Sequence, residues 1–237
     1  MRKNVVALAL AATVSLSGWA QKNDRETLEG NGNLITRDIA VSSFTELKAS
    51  GVYELKLSQG NKEGVKIEAD ENLQDLFQVR NEGSRLVIDM KKLENKNLKS
   101  KNKMRVYVTF KNLKQIDLST VGNVSSEERL SFENLELRNK SVGNVDLKLT
   151  ANKVELENKS VGDIKLSGQA QNAVFVNKGV GSLKASDFVV QTLDIDNTGI
   201  GSAEVNASQT LKVKDNMMGK VKNKGAATAR RMNKEVI

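Results

Sequence analysis

The residues of this chain that are equipped for chemistry are acids recurring at intervals near twenty. Glu136 and Glu155 lie 19 positions apart, and Glu157 and Asp196 share a second phase two residues further on. On strands stacked with that period, Glu136 would stand beside Glu155. Neighbouring carboxylates can hold Ca²⁺ through oxygen. They can also split glycosidic cleavage between an acid and a base or nucleophile. The rest of each column points to another use. One outward column would run Gln115, Glu136, Glu155, Val174, Asp194, Lys212. Its neighbour would run Asp117, Arg138, Glu157, Val176, Asp196, Lys214, and a third Ser125, Asp146, Lys165, Lys184, Glu204, Lys222. The columns mix signs, with Arg138 between Asp117 and Glu157, as on a solvated sheet with cross-strand charge pairing.

The composition narrows the chemistry further. The 237 residues include no Cys and no His. Disulfides, thiol nucleophiles, thiolate metal sites and imidazole bases are all absent, and a Ser-His-Asp triad is impossible. No catalytic, cofactor-binding or metal-ligating residue is assigned. The expected function is a noncatalytic binding module using an outer strand face. The alternative is a β-helix enzyme acting on an extracellular or periplasmic polysaccharide. In the outward columns Val174 and Val176 are apolar where other coils carry polar or charged groups, which makes them a candidate contact patch.

The elements that would position these columns follow from a second repeat. Gly122, Gly143, Gly162, Gly181, Gly201 and Gly219 recur every 18 to 21 residues. Each follows an apolar residue: Val121, Val142, Val161, Val180, Ile200, Met218. Four places earlier stand Leu118, Asn139, Asn158, Asn177, Asn197 and Asp215. A constant phase at this period predicts an all-β parallel solenoid with coils of about 19–20 residues. Each coil would hold two alternating strands meeting at a glycine corner, where φ > 0 or a close backbone approach excludes other residues. Asn139, Asn158, Asn177 and Asn197 would form an inward structural ladder. Six coils at strand spacing would give a rod on the order of 29 Å.

Residues 34–110 show a less regular β pattern, with alternation at Leu34–Ile39, Val52–Leu57, Val65–Ala69, Arg85–Met90 and Met104–Phe110. Glu71–Phe77 has the spacing of a helical turn or two. A single domain is expected over 34–224, with regular coils over 111–224. Residues 1–20 read as an export signal: Arg2 and Lys3, an apolar run Val5–Leu16, and small residues around Gly18 and Ala20. Trp19 occupies the place of a lipidated cysteine, so a lipoprotein is excluded. Residues 21–33 read as a flexible leader, and 225–237 as a basic tail or cap. The net charge of +8 is concentrated at 91–103 and 220–237, each +5. Residues 91–103 read as an exposed hairpin loop. Two basic segments on an otherwise acidic body point away from nucleic acid. The expected partners are an envelope protein, a glycan or an anionic lipid, with a homo-oligomer as a further possibility. No transmembrane segment is expected once the signal is removed.

Several motifs occur in a telling order. They are Phe44 and Leu47, Gly51-Val52-Tyr53 running to Gln59-Gly60, Val65 to Asp70 with Asn72-Leu73, and Leu86-Val87-Ile88. The glycine coils follow, as in Ser160-Val161-Gly162-Asp163-Ile164. The whole of residues 21–237 resembles the secreted head GIN domain family of Gram-negative bacteria, labelled putative auto-transporter adhesin. The resemblance implies a right-handed parallel β-helix in the periplasm, at the outer membrane or outside the cell. It brings no catalytic residues.

Overall fold

A computed structural model describes residues 26–93 and 96–232. The export signal and the first part of the leader lie outside the described residues. The strands are β1 (Glu26–Glu29), β2 (Leu34–Ile39), β3 (Glu46–Val52), β4 (Glu54–Gln59), β5 (Gly64–Asp70), β6 (Phe77–Glu82), β7 (Arg85–Met90), β8 (Lys96–Lys99) and β9 (Arg105–Phe110). They continue as β10 (Gln115–Val121), β11 (Val124–Ser126), β12 (Leu130–Asn139), β13 (Val145–Asn158), β14 (Ile164–Asn177), β15 (Leu183–Asn197), β16 (Ala203–Asp215), β17 (Val221–Asn223) and β18 (Ala229–Arg231). A 3₁₀ turn spans Glu71–Leu76 and carries the buried Leu73. No helix among the described residues is long and apolar enough to cross a membrane.

The strands stack as parallel coils of a β-solenoid of about six turns. Before the corner, β7, β3, β10, β12, β13, β14, β15, β16 and β18 follow one another in parallel. After the corner, β9, β4, β11, β13, β14, β15, β16 and β17 do the same. Alternation within each strand puts one set of side chains inside. Leu137, Leu156, Phe175, Ile195 and Val213 are neighbours in register and all are buried. A single coil leaves that stripe wet on both sides. Stacking removes it from water, at about 1.5–3 kcal/mol per large aliphatic side chain.

The N-terminal end is closed by antiparallel strands. β5 and then β2 add to β9, and β6 adds to β7. The antiparallel pairs cover strand edges that would otherwise be open for association.

Several parts differ from the sequence expectation. The hairpin expected around residues 91–103 is absent, because β7 and β9 are not partners. They belong to successive faces of one coil, and the basic segment takes the place of its corner. Part of that segment is β8, which pairs in parallel with β1. Residues 26–33 are therefore held rather than free as a leader: Gly30 N donates to Lys99 O at 2.8 Å and Asn31 N to Asn72 Oδ1 at 2.8 Å. The junction centres on buried Asp70. Its carboxylate accepts from Asn102 Nδ2 at 2.5 Å, Lys101 N at 2.9 Å and Ser100 Oγ at 3.1 Å. Burial pushes this carboxyl up, but the hydrogen bonds outweigh it and hold it below the usual carboxylate range. At the other end β18 joins β16 and Ala227 is buried, so residues 225–232 extend the stack.

Candidate functional site

The corner is built by backbone contact. Gly162 has φ 134°, and a Cβ there would overlap the carbonyl oxygen of Gly143 one coil away. Gly143, Gly181 and Gly201 repeat this on the preceding glycine, and Gly122 lies over the Tyr53 carbonyl. The first reason for glycine is thus the close approach of coils, and the second is a backbone angle that other residues rarely adopt. Gly219 departs from the sequence assignment. It follows Met218, whose carbonyl accepts from Gly201 N at 3.0 Å, but its φ is not in the positive region. The terminal coil turns differently, with Asn216 Oδ1 accepting from Gly219 N at 2.6 Å.

Inside the corner runs a chain of amides. Asn139 Nδ2 donates to Asn158 Oδ1 at 3.0 Å, Asn158 Nδ2 to Asn177 Oδ1 at 2.7 Å, and Asn177 Nδ2 to Asn197 Oδ1 at 2.6 Å. Asn197 Nδ2 ends the chain on Gly219 O at 2.5 Å. All four residues are buried. Every internal amide donates along the rod and accepts from the coil before, so none is free to hold a ligand.

The outward columns are neighbours in register. Glu136 lies beside Glu155, and Glu155 beside Val174, then Asp194 and Lys212. Most of these acids are engaged by bases. Arg138 pairs with Glu136 and lies 3.7 Å from Asp117. Lys153 reaches Glu155 at 2.5 Å, Lys159 reaches Glu157 at 2.5 Å, and Lys214 reaches Asp196 at 3.0 Å. The hydrogen bond from Lys159, with its charge, holds the Glu157 carboxyl below the usual range. A glycosidase acid needs the opposite displacement. Among the described residues no cluster of Asp and Glu is arranged to hold a metal ion. An open groove of about 760 Å³ passes Glu136 and Glu155, lined also by Leu113, Phe132 and Lys114.

Val174 is 40% exposed and Val176 half-buried, both outward, while Phe175 between them is buried and stacks on Phe188 at 6.4 Å. The two valines therefore sit together on an outer face between Glu155 and Glu157 on one side and Asp194 and Asp196 on the other.

A larger apolar feature escaped the column reading. The residues just before the corner glycines are exposed. Val121, Val142, Val161, Val180 and Ile200 are bridged coil to coil, and Val52 pairs with Val121. Each is between 46% and 52% exposed, and Met218 next in line is 63% exposed. Together they form a single-file ridge at the corner. The signal was present as the apolar residue before each glycine. It was hidden because apolar residues in strands are ordinarily read as core.

A family described as "Putative auto-transporter adhesin, head GIN domain" matches residues 43–227. The crystal structure of a putative adhesin from Bacteroides fragilis NCTC 9343 is similar, with 28% identity and a TM-score of 0.74, over 86% of this chain and 100% of that one. A putative lipid binding protein from Parabacteroides distasonis ATCC 8503 has 20% identity and a TM-score of 0.60, over 88% and 100% of the respective chains. A putative adhesin from Parabacteroides merdae ATCC 43184 has 19% identity and a TM-score of 0.54, over 88% and 100%. The latter two likenesses concern the fold alone. No curated protein matches the chain at a significant level.

Proposed function

Because this chain belongs to the head GIN domain family of putative auto-transporter adhesins, we propose that it is a noncatalytic, exported envelope or surface module that binds a partner through the outside of its solenoid. The observation that carries this reading is the state of the outward acids. Glu136, Glu155 and Glu157 each hold a basic partner, and Glu157 is displaced away from proton donation. A sheet of satisfied charges is a surface for recognition, not a centre for general acid catalysis. Val174 and Val176 supply an apolar contact on that sheet. The apolar run at Val5–Leu16 and the small residues at Gly18 and Ala20 support export.

The test is a glycan, lipid and envelope-protein binding array with protein recovered after export, assayed in parallel for reducing-end release from polysaccharides. The reading expects binding without turnover, and an N-terminus near Gln21 by mass. Polysaccharide cleavage that disappears in Glu136→Gln or Glu155→Gln would overturn it, as would the absence of any bound partner.

A further inference from the structure

We infer that the corner ridge, with the lysine row beside it, docks the rod lengthwise on an anionic lipid surface. This deepens the binding-module reading and rests on it. The ridge Val52, Val121, Val142, Val161, Val180, Ile200 and Met218 spans six coil steps, on the order of 29 Å at strand spacing. Roughly half of each side chain faces water. Stability of the fold does not demand apolar residues there, since the position points away from the core.

The charge beside the ridge identifies the occupant. Two residues before the ridge, Lys140, Lys159 and Lys178 are exposed and stand on consecutive coils. Their backbone amides bond the coil before, to Leu118 O, Asn139 O and Asn158 O at 2.8–2.9 Å, so their spacing is fixed by the stack. The opposite flank is electrically quiet. Asn123, Asn144 and Asp163 use a side-chain oxygen to accept the amide of the next coil, and Asp163 also pairs with Lys184 at 2.6 Å. One acid beside the row, Glu157, is engaged by Lys159 at 2.5 Å.

The ridge ends at a basic pole. Met217 is 93% exposed beside Met218, and Lys220, Lys222, Lys224, Arg230 and Arg231 follow within the last coil. A line of aliphatic side chains flanked by ammonium groups matches the layering of a bilayer interface. Apolar groups reach the acyl boundary, and lysine stems let their charges stay at the phosphates. A corner ridge offers no concavity for a second ridge, which disfavours a copy of the chain as the occupant.

The processed chain offers a clean probe, because Trp19 is the sole tryptophan and lies within the signal. Exported protein, its N-terminus checked by mass, is mixed with vesicles of 7:3 phosphatidylcholine and phosphatidylglycerol, and with pure phosphatidylcholine. A Val161→Trp variant should shift its emission to the blue with the anionic vesicles only. Asn172→Trp, on another side of the coil, should not shift. Lys140→Gln, Lys159→Gln and Lys178→Gln together should weaken co-sedimentation on the order of 100-fold, at about fivefold per charge near such a surface. Emission from Val161→Trp that stays unchanged with vesicles would overturn the proposal. So would a shift that depends on protein concentration without lipid, which would assign the ridge to a second copy. If the ridge probe stays wet while a glycan or protein still binds on the array, this inference falls and the binding-module reading stands. If nothing binds at all, both fall.

Discussion

Replacing Asn158 by alanine tests whether the buried amide chain holds the coils together. Asn158 Oδ1 accepts from Asn139 Nδ2 at 3.0 Å and from Ser160 Oγ at 2.7 Å, and Asn158 Nδ2 donates to Asn177 Oδ1 at 2.7 Å. Truncation removes all three bonds and leaves three polar groups in the interior without those partners. A buried group left unpaired costs about 1–3 kcal/mol. Ser160 can turn its hydroxyl elsewhere, so two orphaned amide groups set the scale, at about 3 kcal/mol or more. For a chain of this length that lowers the melting temperature by about 6–12 °C. Urea unfolding followed by far-ultraviolet circular dichroism measures it. A change in the denaturant slope or a split transition would mean that the coils beyond Asn158 separate first, as stacked repeats do when an interface weakens. The companion variant Lys159→Ala, exposed on the next residue, should stay within about 0.5 kcal/mol. The double variant Asn158→Ala with Asn177→Ala should cost less than the sum, since the bond between them can be lost only once. A cost for Asn158→Ala as small as that of Lys159→Ala, or strict additivity of the pair, would refute the reasoning.

Gly162→Ala should destabilise by about 2 kcal/mol or more, because its Cβ meets a backbone oxygen that cannot move without shifting a coil. Gly64→Ala, with open space around it, should be neutral or slightly stabilising, and equal melting points for the two would count against the corner geometry. Asp70 is held below its ordinary range, so its contribution is complete above the unfolded value of about 3.9 and is lost as pH falls through the lower folded value. Wild type should therefore lose stability as pH falls below about 4 more steeply than Asp70→Asn, which starts weaker, and parallel curves from urea titrations would remove Asp70 from the explanation. Changing Val174 and Val176 together to Thr should leave the melting temperature nearly unchanged while reducing partner binding; unfolding would place them in the core, and unaltered binding would make them filler.

The regular coils were legible because glycine and asparagine each report a local constraint at a fixed phase. Only glycine accepts a neighbouring carbonyl against its Cα, and a buried asparagine repeats only where its amide finds another. The first coils carry neither mark. Tyr53 occupies the glycine column beneath Gly122, with its ring buried and its hydroxyl donating to Ile88 O at 3.2 Å. The strand β3 was missed because Gly51 within it reads as a turn. In the coil of β7 and β9 the corner is replaced by the basic segment, whose lysines look like a solvated loop in any local window. Its anchor, Asp70, lies thirty residues away in sequence, so no periodicity could point to it. The ridge was visible as a pattern but not as a surface, since alternation alone does not say what happens at a corner.

The coils do not lie along the rod in the order in which they are synthesised. The coil of β3 and β4 sits between the coil of β7 and β9 and that of β10 and β11. When residues 46–57 emerge, neither neighbour exists, and both of their edges wait for chain that comes later. From β12 onward, each new coil instead lands on a finished edge. Growth of the rod is thus polar in time. One slow closure, spanning residues far apart in sequence, must come before a series of quick local additions. Loss of a middle coil such as residues 164–182 shortens the rod by one period, whereas loss of residues 46–57 removes the surface on which both directions of growth begin.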